Sequence, residues 1–381
     1  MLVNMTIARV LTHAVKQILP NKEGLEKLMD SKKIRVYLGV DPTGPRLHLG
    51  HSIPLKKLQE FADLGHEAIL LFGTGTVLAG DPSQRNEARG KITIAEIDEN
   101  IKTWKVQAQK IINFDKIKIK YNGDWLLKLN YADVIKIASN ISSTQLYKRE
   151  MFQERIKRGQ TVWTHETLYP LFQGYDSVAM DVDLEIGGTD QTFNMLIGRE
   201  LQKKINKREK FVLTTPLISG TDGKPMSKSS GNCIWLNDTP ADMFGKIMSM
   251  ADIQIEEYWQ TLTQLPAEKL RSLKPLDAKK MLANEIVKLY KGETLAKKAQ
   301  KEFEAVYQKS AKPKHVDVNV QENISLTEAV SKFVSSKSQA KRLISQGAVE
   351  IDGQVATDGS VKTQKGQVLK IGKKTYVKVG K

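Results

Sequence analysis

Residues 34–64 constrain the fold most, because their pattern changes from that of a strand to that of a helix within a few positions. Apolar residues alternate over residues 34–40, and the segment DPTGP at residues 41–45 then interrupts the run. Over residues 55–64 apolar residues recur at helical spacing instead. The chain is therefore predicted to pass from a strand through a tight turn into a helix.

Two histidines stand where this helix begins. His48 and His51 are three positions apart, so both are expected to point the same way from the first helical turn. Backbone N–H groups at a helix start attract anions, and imidazole donors can hold oxygens as negative charge develops on a reacting phosphate. Gly50 between them leaves room for a ligand to contact the backbone. We predict that this turn binds the phosphates of ATP; a packing or capping role of the histidines is the alternative.

Strand-like and helical runs alternate as far as about residue 236. The further strand-like runs are EAILLFGTG, DKIKIKYNG, AMDVDLEIGG and KFVLTTPLISG. This order predicts an α/β fold with a Rossmann-like parallel sheet covered by helices, in which ligands bind at the carboxyl ends of the strands.

Beyond residue 236 the pattern changes. Residues 239 to about 309 are helical in pattern, residues 309–323 are typical of a linker, and two short helices followed by strands are predicted after it. We therefore predict a Rossmann-like domain at residues 1–236, an all-α domain at 237–312 and a small α+β domain at 322–381. Residues 1–20 are predicted to form a scaffold helix that packs Ile7, Leu11, Val15 and Leu19; an organellar presequence is the alternative.

The charge of the chain is unevenly placed. Its 381 residues have a formal net charge of +16, and residues 271–381 carry +12 of it. A concentrated positive field favours a polyanionic partner, with nucleic acid the first candidate and a solvated lysine-rich surface the alternative. The single cysteine, Cys233, excludes an intramolecular disulfide and a cysteine-cluster metal site, so a cytoplasmic location is predicted. No apolar run has the length of a membrane span, and no membrane partner is expected.

A second glycine-containing loop, TDGKPMSKSSGN at residues 221–232, follows the strand-like run FVLTTPLI. It places Lys224 and Lys228 among small, flexible residues. A mobile lysine can follow a phosphate through a reaction in which the charge moves; a surface turn is the alternative.

A polar stripe lies on the predicted helix LYPLFQGYDSVAM. Pro170 suits the first turn of this helix, and Tyr169, Gln173 and Asp176 share one face of it. A buried carboxylate without a partner costs several kcal/mol, so the stripe requires a partner, either a ligand or another side chain.

The segment DLEIGGTDQTFNMLIGREL contains a further candidate. Gly187 and Gly188 are predicted to form a tight turn before a helix whose buried face carries Phe193, Leu196, Ile197 and Leu201. Asp190 and Gln191 are left in the first turn of that helix, at the mouth of the sheet. Binding of a ribose and pairing with the helix dipole are the two roles open to Asp190.

Taken together and in this order, these segments resemble the class I aminoacyl-tRNA synthetases, and more narrowly the bacterial-type tyrosyl-tRNA synthetases, over essentially the whole chain. HLGH at residues 48–51 resembles the first class signature, and PMSKS at 225–229 resembles the second, KMSKS. Tyr37, the segment LFQGYD and GGTDQ resemble the tyrosine-specific member. The segment SLTEAVSKFVSSKSQAKRLISQGAVEIDGQV is similar to the RNA-binding module that many of these enzymes share with a ribosomal protein. Pro225 departs from the pattern, which opens with lysine, and Lys224 is the candidate substitute.

The resemblance implies roles for individual residues. The catalytic residues facing the triphosphate would be Thr43, His48, His51, Lys224 and Lys228. The tyrosine-binding residues would be Tyr37 and Asp176 at the phenol, Thr76, Asp81, Tyr169 and Gln173 around the ammonium group, and Gln191 nearby. The ATP site would also include Asp41, Gly50, Gly188, Asp190 and Met226. Contacts with tRNA or phosphate would come from Arg85, Arg89, Lys337, Lys341 and Arg342.

The activity that the resemblance implies is ATP-dependent attachment of L-tyrosine to tRNA(Tyr) through a tyrosyl-adenylate. Mg²⁺ would accompany ATP, and the enzyme would be a homodimer whose helical and C-terminal domains bind tRNA. A tryptophanyl-tRNA synthetase is the nearest alternative, against which Tyr37, Asp176 and the C-terminal module argue. A small-molecule nucleotidylyltransferase would not need the second loop or the basic tail, and a non-catalytic RNA-binding paralogue has only Pro225 in its favour.

Overall fold

The computed structural model describes residues 6–81, 92–226, 231–307, 319–334, 336–372 and 375–380. The chain divides into two compact units, residues 1–297 and 298–381. No helix among the described residues combines the length and the apolar composition needed to cross a membrane.

A six-stranded sheet forms the centre of the first unit. Its strands are β1 (Gln17–Leu19), β2 (Arg35–Val40), β3 (Glu67–Phe72), β4 (Ile117–Tyr121), β5 (Leu184–Gly188) and β6 (Phe211–Thr215). The strand order is β1-β6-β5-β2-β3-β4, and every pair is parallel except β1 with β6. The parallel sheet predicted from the sequence is confirmed.

Helices surround this sheet. They are α1 (Ile7–Val10), α2 (Lys22–Ser31), α3 (Leu49–Asp63), α4 (Thr76–Ala79), α5 (Ile94–Ala108), α6 (Gly123–Leu126), α7 (Tyr131–Ala138), α8 (Ser143–Leu146), α9 (Glu150–Lys157), α10 (Thr164–Met180) and α11 (Thr192–Ile205), with a 3₁₀ turn at Thr189–Gln191. Then follow α12 (Pro240–Ser249), α13 (Gln254–Leu262), α14 (Ala267–Arg271), α15 (Pro275–Lys291) and α16 (Glu293–Tyr307), which agree with the helical pattern predicted after residue 239.

The strand order places the site. The chain runs from β2 to β3 and β4 on one side, and then returns to β5 and β6 on the other. The carboxyl ends of β2 and β5 therefore lie side by side at the point where the order reverses, which is where open parallel sheets bind ligands. The DPTGP turn leaves β2 at this point, and the 3₁₀ turn leaves β5.

The N-terminal scaffold helix is wrong in its extent. The helix α1 covers only Ile7–Val10, and Leu19 belongs to strand β1. The ammonium group of Lys57 donates hydrogen bonds to the carbonyls of Val10 (2.8 Å) and His13 (2.6 Å), so these carbonyls bind an ammonium group from another helix. The chain then turns and pairs its next residues with the edge of the sheet.

Two smaller expectations about helices are also corrected. Pro170 lies well inside α10 rather than in its first turn, because the helix already begins at Thr164. Leu196 of α11 is 37% exposed, whereas Ile197 and Leu201 are buried as predicted.

The helices α10 and α11 pack closely where their glycines meet, since a Cβ on Gly174 would lie 3.0 Å from the backbone nitrogen of Gly198.

Besides the C-terminal part of α16, the described residues of the second unit form a five-stranded sheet and two helices. They are β7 (Asn319–Gln321), α17 (Leu326–Ser331), α18 (Lys337–Ser345), β8 (Val349–Ile351), β9 (Gln354–Val355), β10 (Val368–Ile371) and β11 (Thr375–Gly380), with the strand order β7-β11-β10-β8-β9. Two short helices followed by strands were expected here. The predicted linker is corrected at its end, because Asn319–Gln321 pairs with β11 as a strand; residues 309–318 lie outside the described residues.

Candidate active site

The two histidines flank the start of α3. His48 is the N-cap residue, one position before the first turn in which it was expected, and His51 is the third residue of the helix. Their ring centroids are 3.8 Å apart, and the backbone N–H of His48 donates to Nδ1 of His51 at 3.1 Å. A Cβ on Gly50 would lie 3.0 Å from the ring of His48, so glycine at this position lets the imidazole fold over the helix start.

Two tryptophans hold this pair in place. Trp104 donates from Nε1 to the carbonyl of Gly44 (2.6 Å), and its ring meets His51 edge-on at 5.5 Å. Trp235 lies 6.0 Å from the ring of His48. Sequence reasoning missed both residues, because each lies far along the chain from the HLGH segment that it contacts.

A backbone connection joins the two predicted signatures. His48 forms an isolated β-bridge with Trp235, and the N–H of Leu49 donates to the carbonyl of Ile234 (2.9 Å). The chain that leaves the second loop is therefore bonded directly to the start of α3. Segments almost two hundred residues apart in the sequence meet here.

The second loop itself is partly described. The N–H of Gly220 donates to the carbonyl of Lys224 (2.6 Å), and Asn232 donates from its amide to Asp222 (2.8 Å) and to the carbonyl of Pro225 (3.1 Å). The side chain of Lys224 is exposed. Met226 is the last described residue before a gap at residues 227–230, and Lys228 falls in this gap.

A cluster around Asp41 lies at the end of β2. Thr76 donates to Oδ1 of Asp41 (2.8 Å), and Tyr169 donates to Oδ2 (2.9 Å). Desolvation raises the pKa of Asp41 to about 7; nearby Asp81 adds to the rise, and the two hydrogen bonds oppose it. Thr43 lies two residues further on, in the same turn, and its N–H donates to the carbonyl of Asp41 (2.8 Å).

A second acidic cluster lies at the end of β5. Gln191 donates from Nε2 to Asp81 (3.0 Å) and to Asp190 (3.1 Å), and Arg149 is paired with Asp81 at 3.4 Å. Burial raises the pKa of Asp190. A Cβ on Gly188 would lie 2.4 Å from Oδ1 of Asp190, so this carboxyl group packs directly against the backbone.

Asp176 is 2% exposed and has a donor on each oxygen. Trp125 donates from Nε1 to Oδ1 (2.8 Å), and Asn122 donates from Nδ2 to Oδ2 (3.0 Å). Burial raises the pKa of Asp176 well above its usual value, and these two donors oppose the rise. Asn122 also donates to Thr76 (2.9 Å), so it links the Asp176 group to the Asp41 cluster.

Tyr37 is fully buried beside a network of charged groups. Its hydroxyl lies 3.0 Å from Oγ of Ser177, which accepts a hydrogen bond from Lys210 (2.7 Å). Lys210 is paired with Glu185, and Glu185 accepts a hydrogen bond from Nε2 of Gln173 (3.3 Å). Burial raises the pKa of Tyr37 and lowers that of Lys210.

The sequence named Tyr37, Gln173 and Asp176 as candidates but did not indicate the side chains that bond to them. One signal was present: Glu185 and Lys210 are charged residues in or beside strands that are otherwise apolar. A buried charge requires a partner of opposite charge, and the two strands are neighbours in the sheet. No signal in the sequence pointed to Asn122, Trp125 or Ser177.

The remaining predicted residues lie elsewhere. Arg85 and Arg89 are outside the described residues. Lys337, Lys341 and Arg342 are exposed on α18 of the second unit. Lys337 and Lys341 line a cavity of about 660 Å³ together with Ser325, Thr327, Glu328, Ile344, Thr357, Gly359 and Ser360.

Comparisons with known proteins agree on one family. Residues 29–308 match the family model of class I tRNA synthetases (W and Y), and residues 329–369 match the S4 domain. The chain is 42% identical to the tyrosine–tRNA ligase of Thermotoga maritima, over 97% of this chain and 96% of that protein. It is 41% identical to the tyrosine–tRNA ligase of Carboxydothermus hydrogenoformans, over 98% and 95% of the two chains.

A solved structure shares the fold. The tyrosyl-tRNA synthetase from Archaeoglobus fulgidus, complexed with L-tyrosine, aligns with a TM-score of 0.63 at 24% sequence identity, over 77% of this chain and 98% of that one. At this identity the likeness shows the fold alone.

Proposed function

This chain belongs to the class I tRNA synthetases (W and Y) and is a tyrosine–tRNA ligase, and we propose that its tyrosine and ATP sites lie where β2 and β5 end. Its substrates are tyrosine, ATP and tRNA, and the relatives support tyrosine over the tryptophan alternative. Residues 1–236 are the proposed catalytic domain. The proposed tRNA-binding regions are residues 237–312 and the C-terminal domain at 322–381.

The observation that carries the proposed tyrosine site is the pair of buried polar groups at Tyr37 and Asp176. A substrate phenol between them would accept a hydrogen bond from the Tyr37 hydroxyl and donate one to Asp176. Phenylalanine would make neither of these two hydrogen bonds, so both groups would lack a substrate partner in a desolvated site. Tyrosyl-tRNA synthetases are themselves the standard example of selectivity obtained in this way.

The ammonium group of the substrate is assigned to the Asp41 cluster and its neighbours. Asp41, Asp81 and the hydroxyl of Tyr169 are acceptors of the right polarity, and Thr76 orients Asp41. Gln173 contributes an acceptor as well: its Oε1 is buried and receives no hydrogen bond from the described residues. Gln191 links Asp81 to the neighbouring nucleotide region.

ATP is placed beside the tyrosine carboxylate. That carboxylate attacks the α-phosphorus, a new oxygen–phosphorus bond forms, and the bond to the β-phosphate oxygen breaks, so that tyrosyl-adenylate and pyrophosphate result. The carboxylate is already a nucleophile, and no general base is required. Mg²⁺ enters with the phosphates of ATP, whose oxygens are its preferred ligands.

The chain's own contribution to this step is positioning and charge stabilisation. Thr43, His48, His51, Lys224 and Lys228 are proposed to hold the phosphate oxygens as charge develops on them. Asp41, Gly50, Gly188, Asp190 and Met226 are proposed to line the rest of the nucleotide site, with Asp190 accepting hydrogen bonds from the ribose.

In the second step a hydroxyl oxygen of the terminal tRNA ribose forms a bond to the acyl carbon, the bond from that carbon to the phosphate oxygen breaks, and AMP leaves with its phosphate oxygen available to take the hydroxyl proton. The S4 domain binds RNA. Within it, Lys337, Lys341 and Arg342 are proposed to contact phosphates, and Arg85 and Arg89 are proposed to do so near the catalytic site. The cytoplasm, where tRNA is charged, is the proposed location.

A homodimer is proposed because large apolar side chains are exposed in one stretch of the first unit. Leu127, Tyr131, Ile135, Ile156 and Trp163 are each at least half exposed. Contiguous exposed apolar surface marks protein interfaces, and these side chains are proposed to contribute to one. Sedimentation equilibrium of the full chain tests this proposal, with a mass of two chains expected and a mass of one chain contradicting it.

ATP–pyrophosphate exchange measured with each of the twenty amino acids tests the proposed site as a whole. Exchange with tyrosine and not with phenylalanine or tryptophan is expected. Equal exchange with tyrosine and phenylalanine would contradict the assignment of Tyr37 and Asp176 to the phenol.

A further inference from the structure

We propose that Lys210, Glu185 and Ser177 are positioning residues that orient the hydroxyl of Tyr37 and thereby set the selectivity for tyrosine over phenylalanine. This inference rests on the proposed placement of the substrate phenol between Tyr37 and Asp176. Lys210 and Glu185 are not proposed to contact the substrate phenol themselves: Lys210 acts through Ser177, and Glu185 acts through Ser177 and through its own hydrogen bond with the Tyr37 hydroxyl.

The four side chains form a continuous buried chain. Lys210, Ser177 and Tyr37 have no exposed surface, and Glu185 is 2% exposed. Lys210 is paired with Glu185 and donates to Ser177 at 2.7 Å, and Ser177 lies 3.0 Å from the Tyr37 hydroxyl. A buried ion pair is weak as a source of stability, because desolvation offsets much of the attraction between the charges. A role in orienting other groups gives the pair a function.

Hydrogen-bond polarity follows from what each group can donate. An ammonium group has donors and no acceptor, so Oγ of Ser177 must accept from Lys210. The single proton of Ser177 then has two acceptors in reach, the Tyr37 oxygen at 3.0 Å and Glu185 at 3.4 Å. The shorter contact assigns this proton to Tyr37.

This assignment makes Tyr37 a donor toward the pocket. Its oxygen accepts from Ser177, so its own proton is directed either to Glu185, with which the hydroxyl also forms a hydrogen bond, or to a substrate oxygen once tyrosine is bound. Asp176 already accepts from Trp125 and Asn122, one on each oxygen, so it faces the phenol as an acceptor. The resulting order is Lys210 to Ser177 to Tyr37 to the substrate hydroxyl to Asp176, every link donating in the same direction.

The same ion pair also orients Gln173. Glu185 accepts from Nε2 of Gln173 at 3.3 Å, which turns the amide so that Oε1 is the atom left to accept from the substrate. The Lys210–Glu185 pair thus orients one residue at each end of the proposed tyrosine site, Tyr37 at the phenol and Gln173 at the ammonium group.

The first experiment removes the link between Lys210 and Tyr37. Ser177→Ala is expected to lower kcat/KM for tyrosine in pyrophosphate exchange by about tenfold, because a buried hydroxyl loses its orienting partner. The value for phenylalanine, which does not use the Tyr37 hydroxyl, is expected to stay within about twofold, so the selectivity ratio falls about tenfold.

Ser52→Ala is the matched control. Ser52 is also buried, and it accepts a hydrogen bond from the hydroxyl of a buried tyrosine, Tyr290, at 2.7 Å. This variant is expected to lower the melting temperature and leave the selectivity ratio unchanged. An equal fall of kcat/KM for tyrosine and phenylalanine in Ser177→Ala would show a structural role only and overturn the proposal.

A double-mutant cycle with Tyr37→Phe separates this inference from the proposed site. In the Tyr37→Phe background, Ser177→Ala is expected to change the ratio no further, and the paired replacement Lys210→Met with Glu185→Gln is expected to behave in the same way. If Tyr37→Phe alone leaves the ratio unchanged, the proposed phenol site is wrong. If Tyr37→Phe lowers the ratio but Ser177→Ala does not, or lowers it equally in both backgrounds, the positioning role is wrong and the site stands.

Discussion

The two ends of the proposed pocket differ in how their polar groups are held. At the phenol end, Tyr37 and Asp176 are almost completely buried, and each is hydrogen-bonded to another buried side chain, Tyr37 to Ser177 and Asp176 to Asn122. At the phosphate end, His48 and His51 are only partly buried at a helix start, and Lys224 is exposed on a loop. One end is enclosed by protein, whereas the other is open to solvent.

The difference follows from what each end must do. Discrimination between tyrosine and phenylalanine depends on the free energy lost when a desolvated polar group has no partner. The groups proposed to bind the phenol hydroxyl must therefore be shielded from water. The phosphate end must admit a highly charged nucleotide and release pyrophosphate. Partly exposed donors at a helix start serve that purpose, because they strengthen their contacts only as charge develops.

If the two ends act separately, a change at the phosphate end should alter the rate and not the binding of tyrosine. His48→Ala is expected to lower the rate of adenylate formation by about 10² to 10³-fold, the scale of one lost preorganised donor. The dissociation constant of tyrosine should change little. Stopped-flow single-turnover rates and equilibrium dialysis measure the two quantities. His165→Ala, at an exposed position, is the control, and an unchanged rate in His48→Ala would refute the role of this imidazole.

A change at the phenol end should instead alter the selectivity for tyrosine over phenylalanine. Asp176→Asn is expected to lower the ratio of kcat/KM for tyrosine to that for phenylalanine by about 10²-fold, because an amide cannot accept from Trp125, Asn122 and the substrate together. Asp183→Asn is the matched control, since Asp183 is also a buried, hydrogen-bonded carboxylate. Asp183→Asn should lower stability and preserve the ratio. If Asp176→Asn kept its selectivity for tyrosine, the proposed role of Asp176 at the phenol end would be wrong.

Asp41 lies between the two ends of the proposed pocket. Its titration predicts that the affinity for tyrosine depends on pH. With a pKa of about 7, about a tenth of Asp41 is ionised at pH 6 and about nine tenths at pH 8. If the substrate ammonium group binds the ionised form, as proposed, the affinity for tyrosine should rise about tenfold over this interval. Equilibrium dialysis at several pH values measures it, and Asp41→Asn should remove the dependence.

The raised pKa of Asp41 also predicts how the free energy of unfolding changes with pH. The pKa of Asp41 is raised in the folded state from its ordinary value of 3.8 to about 7, so between these values the folded chain keeps a proton that the unfolded chain has lost. The contribution of Asp41 to the free energy of unfolding is therefore full below pH 3.8, decreases as the pH rises to about 7 and is level above it. Urea unfolding of Asp41→Asn should lack this decline. A decline that persists in the variant would assign it to another group.

The smallest expected effect lies outside the pocket. Lys341→Gln should weaken tRNA binding a few-fold and reduce the slope of log affinity against log salt by about one, as for one lost phosphate contact. Adenylate formation should be unchanged. Lys27→Gln, an exposed lysine on α2 of the first unit, is the control. An unaltered salt slope in Lys341→Gln would remove this residue from the RNA surface.

Much of the fold could be read from local patterns. The alternation over residues 34–40 and the break at 41–45 predicted β2 and the turn to α3, and the strand runs predicted a parallel sheet. Periodicity is reliable there because the buried face of a long element repeats along its own sequence. The N-terminal helix failed for the opposite reason: Lys57, more than forty residues away, binds its carbonyls and the chain turns into a strand.

The sequence by itself determined the family and most of the order of the strands and helices along the chain, and it supplied the candidate residues for binding tyrosine and ATP. Only the tertiary structure decided which groups support them. Asn122 and Trp125 reach Asp176 from more than fifty residues away, and Lys210 meets Ser177 across thirty-three. Hydrogen bonds between such distant residues leave no periodic trace in the sequence, because their geometry exists only once neighbouring strands and helices have packed.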